Sequence, residues 1–143
     1  MRTLGIDLAA QPRGTAAALL SWEPEGPRLE LLRAGLGDDE LVALVAEADK
    51  VGIDAPLGWP DEFVVSTDLI GVVAMRAANL LDLLAAGGRP VDRAGSGVVA
   101  EVYPAPALAA WGINAAGYKS KAGANRLPAL LDALEEELGG LQL

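Results

Sequence analysis

The stretch Thr3-Leu-Gly-Ile-Asp-Leu8 predicts a β-strand, because it is short, mostly apolar and bounded by polar residues. Two short links, Gln11-Pro-Arg-Gly14 and Glu23-Pro-Glu-Gly-Pro27, follow it and have the composition of turns. They separate two further predicted strands at residues 14–22 and 28–34. Since links this short join antiparallel neighbours, the first half of the chain predicts an antiparallel three-stranded sheet.

Helices and strands alternate in the rest of the chain. The pattern predicts a helix from Asp38, a strand at residues 50–54, a helix capped by Ser66 or Thr67 and ended by Gly87-Gly88, a strand at 98–103 and helices at 106–111 and 127–138. The three longest helices carry apolar stripes at helical spacing, which are Leu41, Leu44, Val45 and Ala48, then Ile70, Val73, Ala77, Leu80, Leu81 and Leu84, then Leu127, Leu130, Leu131, Leu134 and Leu138. A strand that follows a helix is expected to pair in parallel, so we predict a single α/β domain over residues 1–143.

Composition restricts the chemistry that the chain can perform. It contains no cysteine and no histidine, which excludes disulfides, zinc fingers, cysteine nucleophiles and histidine-based triads. A bound metal would need oxygen ligands, and Mg²⁺, Mn²⁺ and Ca²⁺ prefer these. The net charge of −9 argues against loose binding to nucleic acid. The C-terminal half is more basic, and this leaves open either a local basic face or ordinary surface scatter.

The sequence also predicts a cytoplasmic location without a membrane partner. Asp7 and Arg13 interrupt the region where a signal peptide would be apolar. No run of about 18 apolar residues, the length needed to span a bilayer, occurs in the chain.

Three acidic residues stand out because each lies in or directly after an apolar strand. Gly5-Ile-Asp7 and Gly52-Ile-Asp54 end two predicted strands in the same way, and Glu101 lies inside a third. An ionised carboxylate in such a place is costly unless it is paired or bound to a metal. We therefore expect Asp7, Asp54 and Glu101 to form a metal site, although each aspartate alone could equally be a helix cap or turn former.

Four further residues are candidates for substrate binding, each with a plainer alternative. Trp59 lies in a stiff proline-containing loop and could stack on a base or pack in the core. Lys119, in a glycine-rich loop, could contact phosphate or be an ordinary exposed lysine. Arg93 and Arg126 leave the same two alternatives open.

The motifs Gly5-Ile-Asp-Leu-Ala9, Gly52-Ile-Asp-Ala-Pro-Leu-Gly-Trp-Pro60 and Glu101-Val-Tyr-Pro104, with Trp111-Gly112, Tyr118-Lys119 and Arg126, resemble domain-of-unknown-function family 429. Members of that family are predicted nucleases of RNase H-like fold. The resemblance implies a three-layer α/β domain with a five-stranded mixed sheet in the order 3-2-1-4-5, flanked by helices. It also implies that Asp7, Asp54 and Glu101 are the catalytic and metal-binding residues.

The resulting hypothesis is a nuclease that cuts RNA or DNA by a two-metal mechanism with Mg²⁺ or Mn²⁺. In the family pattern the segment after the Trp-Pro run is longer and carries an arginine and a Thr-Asp pair. The shorter segment here leaves a catalytically impaired protein, acting as a binding or regulatory module, as the alternative. A kinase or ATPase related to actin would need two such domains, for example in a homodimer. The sequence leaves the oligomeric state open.

Overall fold

In the part of the chain that the structure describes, the sheet has five strands, and the family resemblance implied their order. The strands are β1 (Arg2–Asp7), β2 (Ala16–Glu23), β3 (Gly26–Ala34), β4 (Lys50–Asp54) and β5 (Val99–Glu101). They lie side by side in the order β3-β2-β1-β4-β5. The pairs β1–β2 and β2–β3 are antiparallel, and β4 is parallel to both β1 and β5. The predicted mixed sheet in the order 3-2-1-4-5, flanked by helices, is therefore confirmed.

Four helices complete this computed structural model, which describes residues 1–57, 69–89, 91–92, 96–118 and 120–142. They are α1 (Asp38–Ala46), α2 (Leu69–Ala86), α3 (Pro104–Ala110) and α4 (Leu127–Glu137). Short 3₁₀ helices occupy Pro12–Gly14 and Lys121–Arg126. The predicted caps of α2, Ser66 and Thr67, lie outside the described residues. Among those residues, no helix is both long enough and apolar enough to cross a membrane.

Several element boundaries differ by one or two residues from the sequence-based expectation, and after the last strand one proline explains the difference. The last strand was expected to reach residue 103, but β5 ends at Glu101. Helix α3 begins at Pro104, two residues earlier than expected. Proline is favoured at the first position of a helix because its fixed φ suits the helix and its missing N–H would have no partner there. Pro104 therefore starts the helix instead of only closing the strand.

The main core lies between one face of the sheet and helices α1 and α2. Strand residues alternate between the two faces, and those on this core face are buried: Leu4, Ile6, Ala17, Leu19, Val51, Ile53 and Val99. The stripe of α1 and the residues Ala77, Leu80, Leu81 and Leu84 of α2 join the same cluster, with Val73 packed against it. These stripes confirm the helical periodicity that the sequence showed.

The burial of the apolar stripe of helix α4 differs from the prediction. Leu130 is buried in a small second cluster with Leu108 and Ile113. Leu127 and Leu131, which were predicted to point inward, are 41% and 61% exposed. The cluster is too small to cover the whole stripe, so only its central part is buried.

A buried arginine of α2 connects the chain segments at one edge of the sheet. The side chain of Arg76 is only 9% exposed and forms an ion pair with Asp38 over 2.7 Å. Its Nη1 donates to the carbonyl oxygen of Ala9 (2.7 Å) and to the hydroxyl of Thr15 (2.6 Å). Its Nη2 donates to the carbonyl oxygen of Leu36. The guanidinium therefore holds the end of β1, the approach to β2 and the start of α1 in one arrangement.

Replacing Arg76 by methionine should lower the free energy of unfolding by about 3–5 kcal/mol, because it leaves Asp38 and the carbonyl groups of Ala9 and Leu36 without their buried partner. Arg33→Met is the matched control. Arg33 is paired with Glu40, but both side chains are about half exposed, and such pairs contribute less than about 1 kcal/mol. Urea denaturation of both variants measures the difference. Equal losses in the two variants would show that the buried network is not a principal source of stability.

Candidate functional site

Two of the three predicted acidic residues lie next to each other. Asp7 and Asp54 are the last residues of β1 and β4, and they are paired in register across these parallel strands. Parallel neighbours are about 4.8 Å apart, and paired residues point to the same side of the sheet. Ile6 and Ile53, which precede them, are buried on the core face. Both aspartate side chains therefore project from the opposite face of the sheet. They lie at the C-terminal ends of the strands, where open α/β sheets bind their ligands.

The two glycines that precede these aspartates have different roles. A Cβ atom on Gly52 would lie 2.8 Å from Cγ1 of Val102, so the absence of a side chain lets the chain after β5 pass close to β4. A Cβ atom on Gly5 would meet no atom of the described residues within 4 Å. Gly52 therefore allows close packing within the protein, while Gly5 leaves room on the sheet surface.

Glu101 leaves the sheet on the other side. In the pairing of β4 with β5 it lies opposite Ile53, not opposite Asp54, so its side chain starts from the core face. Its Oε2 accepts a hydrogen bond from the backbone N–H of Leu57 over 3.1 Å, and its Oε1 accepts one from the hydroxyl of Tyr103. Glu101 therefore connects the loop after β4 to the segment after β5.

The donor set at this edge is suited to a hard cation, but it is not a closed cage. Carboxylate oxygens are the ligands that Mg²⁺ and Mn²⁺ prefer, and Asp7 and Asp54 supply them from adjacent strands. Across the described part of the chain, no group of three or more Asp or Glu side chains stands close enough to hold a metal ion. The metal-binding role of Asp7, Asp54 and Glu101 stays a prediction.

Tyr103 is a residue of this site that the sequence reasoning did not single out. The hydrogen bond to Glu101 raises the pKa of the Tyr103 hydroxyl above its ordinary value of 10.0, and the charges of Glu101 and Asp54 act in the same direction. The hydroxyl therefore lies within electrostatic reach of Asp54. A tyrosine two residues after the strand carboxylate, in Glu101-Val-Tyr-Pro104, was the signal that could have identified it.

A groove of about 840 Å³ lies on the sheet face that carries Asp7 and Asp54, and we call it the sheet groove. Small strand residues form its floor: Gly5, Ala16, Ala18 and Gly52. Larger side chains form its walls: Leu20, Leu32, Val102, Pro104, Trp111 and Tyr118. Since the groove follows β1 from Thr3 to Asp7, the two aspartates lie at one end of an otherwise apolar surface.

The structure describes one of the four predicted substrate-binding residues. Arg126 is exposed at the end of the second 3₁₀ helix, and its Nη1 donates to the carbonyl oxygen of Ala116 over 2.5 Å. This bond supports the loop that also carries Tyr118 of the groove wall. Trp59, Arg93 and Lys119 lie outside the described residues, so their roles stay predictions.

Comparison with known protein families gives one match. The model of the family described as "Protein of unknown function (DUF429)" matches residues 63–141, which is more than half of the chain. This range includes Glu101 and Tyr103 but not the strands that carry Asp7 and Asp54. No curated protein matches the chain.

The Tyr103 hydroxyl should titrate above pH 10.0 in the folded protein, and Glu101→Gln should lower its pKa toward that value. Because the folded-state pKa is raised, this hydrogen bond stabilises the fold fully below the unfolded pKa, and its contribution is lost as the pH rises through the folded pKa. Phenolate absorbance, followed in a Tyr118→Phe background, reports Tyr103 alone. An unchanged midpoint in the Glu101→Gln variant would contradict the assigned hydrogen bond.

Proposed function

The chain belongs to domain-of-unknown-function family 429, and from this premise we propose that it is a metal-dependent nuclease that hydrolyses phosphodiester bonds in RNA or DNA. The observation that carries the proposal is the in-register pair Asp7 and Asp54 at the C-terminal edge of two adjacent parallel strands. Two carboxylates held this close repel each other, and a cation shared between them relieves that repulsion. Mg²⁺ is commonly bound through only one or two carboxylates, so a pair of this kind suits a cation that also binds a substrate.

The cation in this proposal is Mg²⁺ or Mn²⁺, held by the carboxylates of Asp7 and Asp54. Mg²⁺ is commonly bound through one or two carboxylates together with water and substrate phosphates, and this donor pair fits that pattern. When bound, such an ion activates water and stabilises charge on the phosphoryl oxygens. The hydrogen bonds from Leu57 and Tyr103 use one lone pair on each Glu101 oxygen, so they would not by themselves prevent a second ion from binding there.

Glu101 and Tyr103 have positioning roles in the proposed enzyme. Glu101 holds the N–H of Leu57, three residues after Asp54, and so fixes the path of the loop that leaves the site. The ordinary pKa of a tyrosine hydroxyl, 10.0, already keeps it protonated at neutral pH, and at Tyr103 the pKa is raised further. Tyr103 donates this proton to Glu101, so it helps to orient that carboxylate and adds no further negative charge where a phosphate would bind.

The proposal includes a nucleic acid partner and a cytoplasmic location, where nucleic acid and Mg²⁺ are both available. The second candidate function is a catalytically impaired binding or regulatory module. It is favoured by one observation, namely that the described residues contain no preassembled group of three acids. The two candidates differ in turnover, so the same assay separates them.

Asp54→Asn should reduce Mg²⁺- or Mn²⁺-dependent cleavage of labelled RNA, DNA and hybrid substrates by about 100-fold or more, the effect of losing one direct electrostatic contact to a transition state. Asp82→Asn is the matched control, because Asp82 is an exposed aspartate near the C-terminal end of α2. It should retain the activity of the native protein. Metal-independent cleavage, or equal activity in the two variants, would refute the nuclease assignment, and the absence of cleavage by the native protein would favour the binding module.

Asp7→Asn should increase the free energy of unfolding by about 0.2–1 kcal/mol at low salt without added metal, because it removes the repulsion between in-register carboxylates. A double-mutant cycle with Asp54→Asn isolates this term from any other contact of either residue. In the double variant, the second substitution should increase the free energy of unfolding by less than the first. Purely additive effects in urea denaturation would show that the two carboxylates do not repel each other.

A further inference from the structure

The sheet groove has charged residues at one end and apolar residues along the rest, and a nucleotide, the unit of the proposed substrate, has a similar division. The charged groups, Asp7 and Asp54, lie at its end, while small and apolar residues line the rest. A nucleotide has the same division, because its base is uncharged and planar and its charge is confined to the phosphate. A phosphate bound through a cation at the aspartate pair would leave the attached base next to the apolar part of the groove.

The floor of the groove is made of small residues. Gly5 presents bare backbone, Ala16 and Ala18 present single methyl groups, and Gly52 is packed against Val102. Within the described part of the chain, no atom would lie within 4 Å of a Cβ atom on Gly5, so the surface there is open to a ligand. A surface of small residues lets a planar ring approach the backbone closely. Trp111, which is half exposed, lines the same groove and can offer an aromatic face.

We propose that the sheet groove binds an unpaired nucleobase and that the preferred substrate is single-stranded nucleic acid. This inference rests on the proposed nuclease function and names its substrate class. The volume of the groove, about 840 Å³, lies within the range of small-ligand sites and is suited to a base with its sugar. In a duplex the faces of the bases are covered by their neighbours, so a base must leave the stack to enter such a site.

The net charge of the protein supports a base-binding mode over a phosphate-tracking mode. Proteins that bind duplexes through phosphates carry clusters of Lys and Arg, whereas this chain has a net charge of −9. Affinity for an anionic strand must then come from uncharged contacts and from the cation. Stacking and apolar contact with a base are contacts of this kind, and they tolerate many sequences.

The test compares three labelled oligonucleotides of equal length in Mn²⁺, measuring anisotropy and cleavage. They are a single strand, the same strand in a duplex, and the same strand with abasic sites around the scissile bond. The single strand should bind most tightly and be cut fastest. Trp111→Ala should weaken its binding by about 5- to 160-fold, the range found for loss of one base–aromatic stack.

Gly5→Val provides the sharper variant, because its Cβ atom would enter the groove with no described residue within 4 Å. It should fold normally, weaken binding of the single strand and leave the abasic strand unaffected. Gly97→Ala is the control, since its Cβ makes only ordinary contacts and Gly97 does not line the groove. If Gly5→Val does not fold, Gly5→Ala and Trp111→Ala provide the same comparison.

Titration with thymidine, which carries no phosphate, separates this inference from the nuclease proposal. Shifts of the Gly5 and Ala18 amide resonances on adding thymidine would support base binding even if no oligonucleotide is cut, and only the nuclease proposal would then fail. Equal binding and cleavage of all three oligonucleotides, unchanged in Gly5→Val, would overturn the base-binding inference while the nuclease proposal stands. The absence of amide shifts together with tight binding of the abasic strand would also overturn it.

Discussion

The guanidinium of Arg76 holds together the edge of the sheet at which Asp7 lies. It donates hydrogen bonds to groups at Ala9, Thr15, Leu36 and Asp38, which lie in three segments: the end of β1, the approach to β2 and the start of α1. A buried charge must have such partners, because leaving it unpaired costs several kcal/mol. Since Ala9 follows Asp7 by two residues, the position of that carboxylate depends on how α2 packs across the core.

The register of the sheet then decides which carboxylates can act together. Asp7 pairs with Asp54, so both side chains project from the groove face. Glu101 pairs with Ile53, so its side chain projects from the core face. Glu101 is paired one position before Asp54, so its side chain lies on the face opposite the aspartate pair and supports the loop at Leu57. Like charges directly opposite each other destabilise a sheet, and the network around Arg76 is among the interactions that stabilise the fold around the aspartate pair.

Periodicity and turn composition predicted the strands, the helices and the antiparallel or parallel connections, because these are local features. The order 3-2-1-4-5, which makes Asp7 and Asp54 neighbours, was implied by the family resemblance and not by these patterns. The side of the sheet from which Glu101 leaves was not predictable, since it depends on the register of β5 against β4. Arg76 was also missed, although a single cation among apolar residues of α2 was a usable signal. The inward prediction for Leu127 and Leu131 failed because amphipathic spacing does not show how much partner surface exists.

The acidic charge of the chain and a nucleic acid substrate are compatible if charge and recognition are separated in space. Repulsion between a protein of net charge −9 and a phosphate backbone is long-ranged, and salt screens it within about 10 Å. Contact with a base is short-ranged, uncharged and unaffected by that field. A site that confines its carboxylates to the end of an apolar groove needs charge compensation at one point only. The placement of Gly5 and Trp111 along the groove is therefore as relevant to substrate choice as the aspartates at its end.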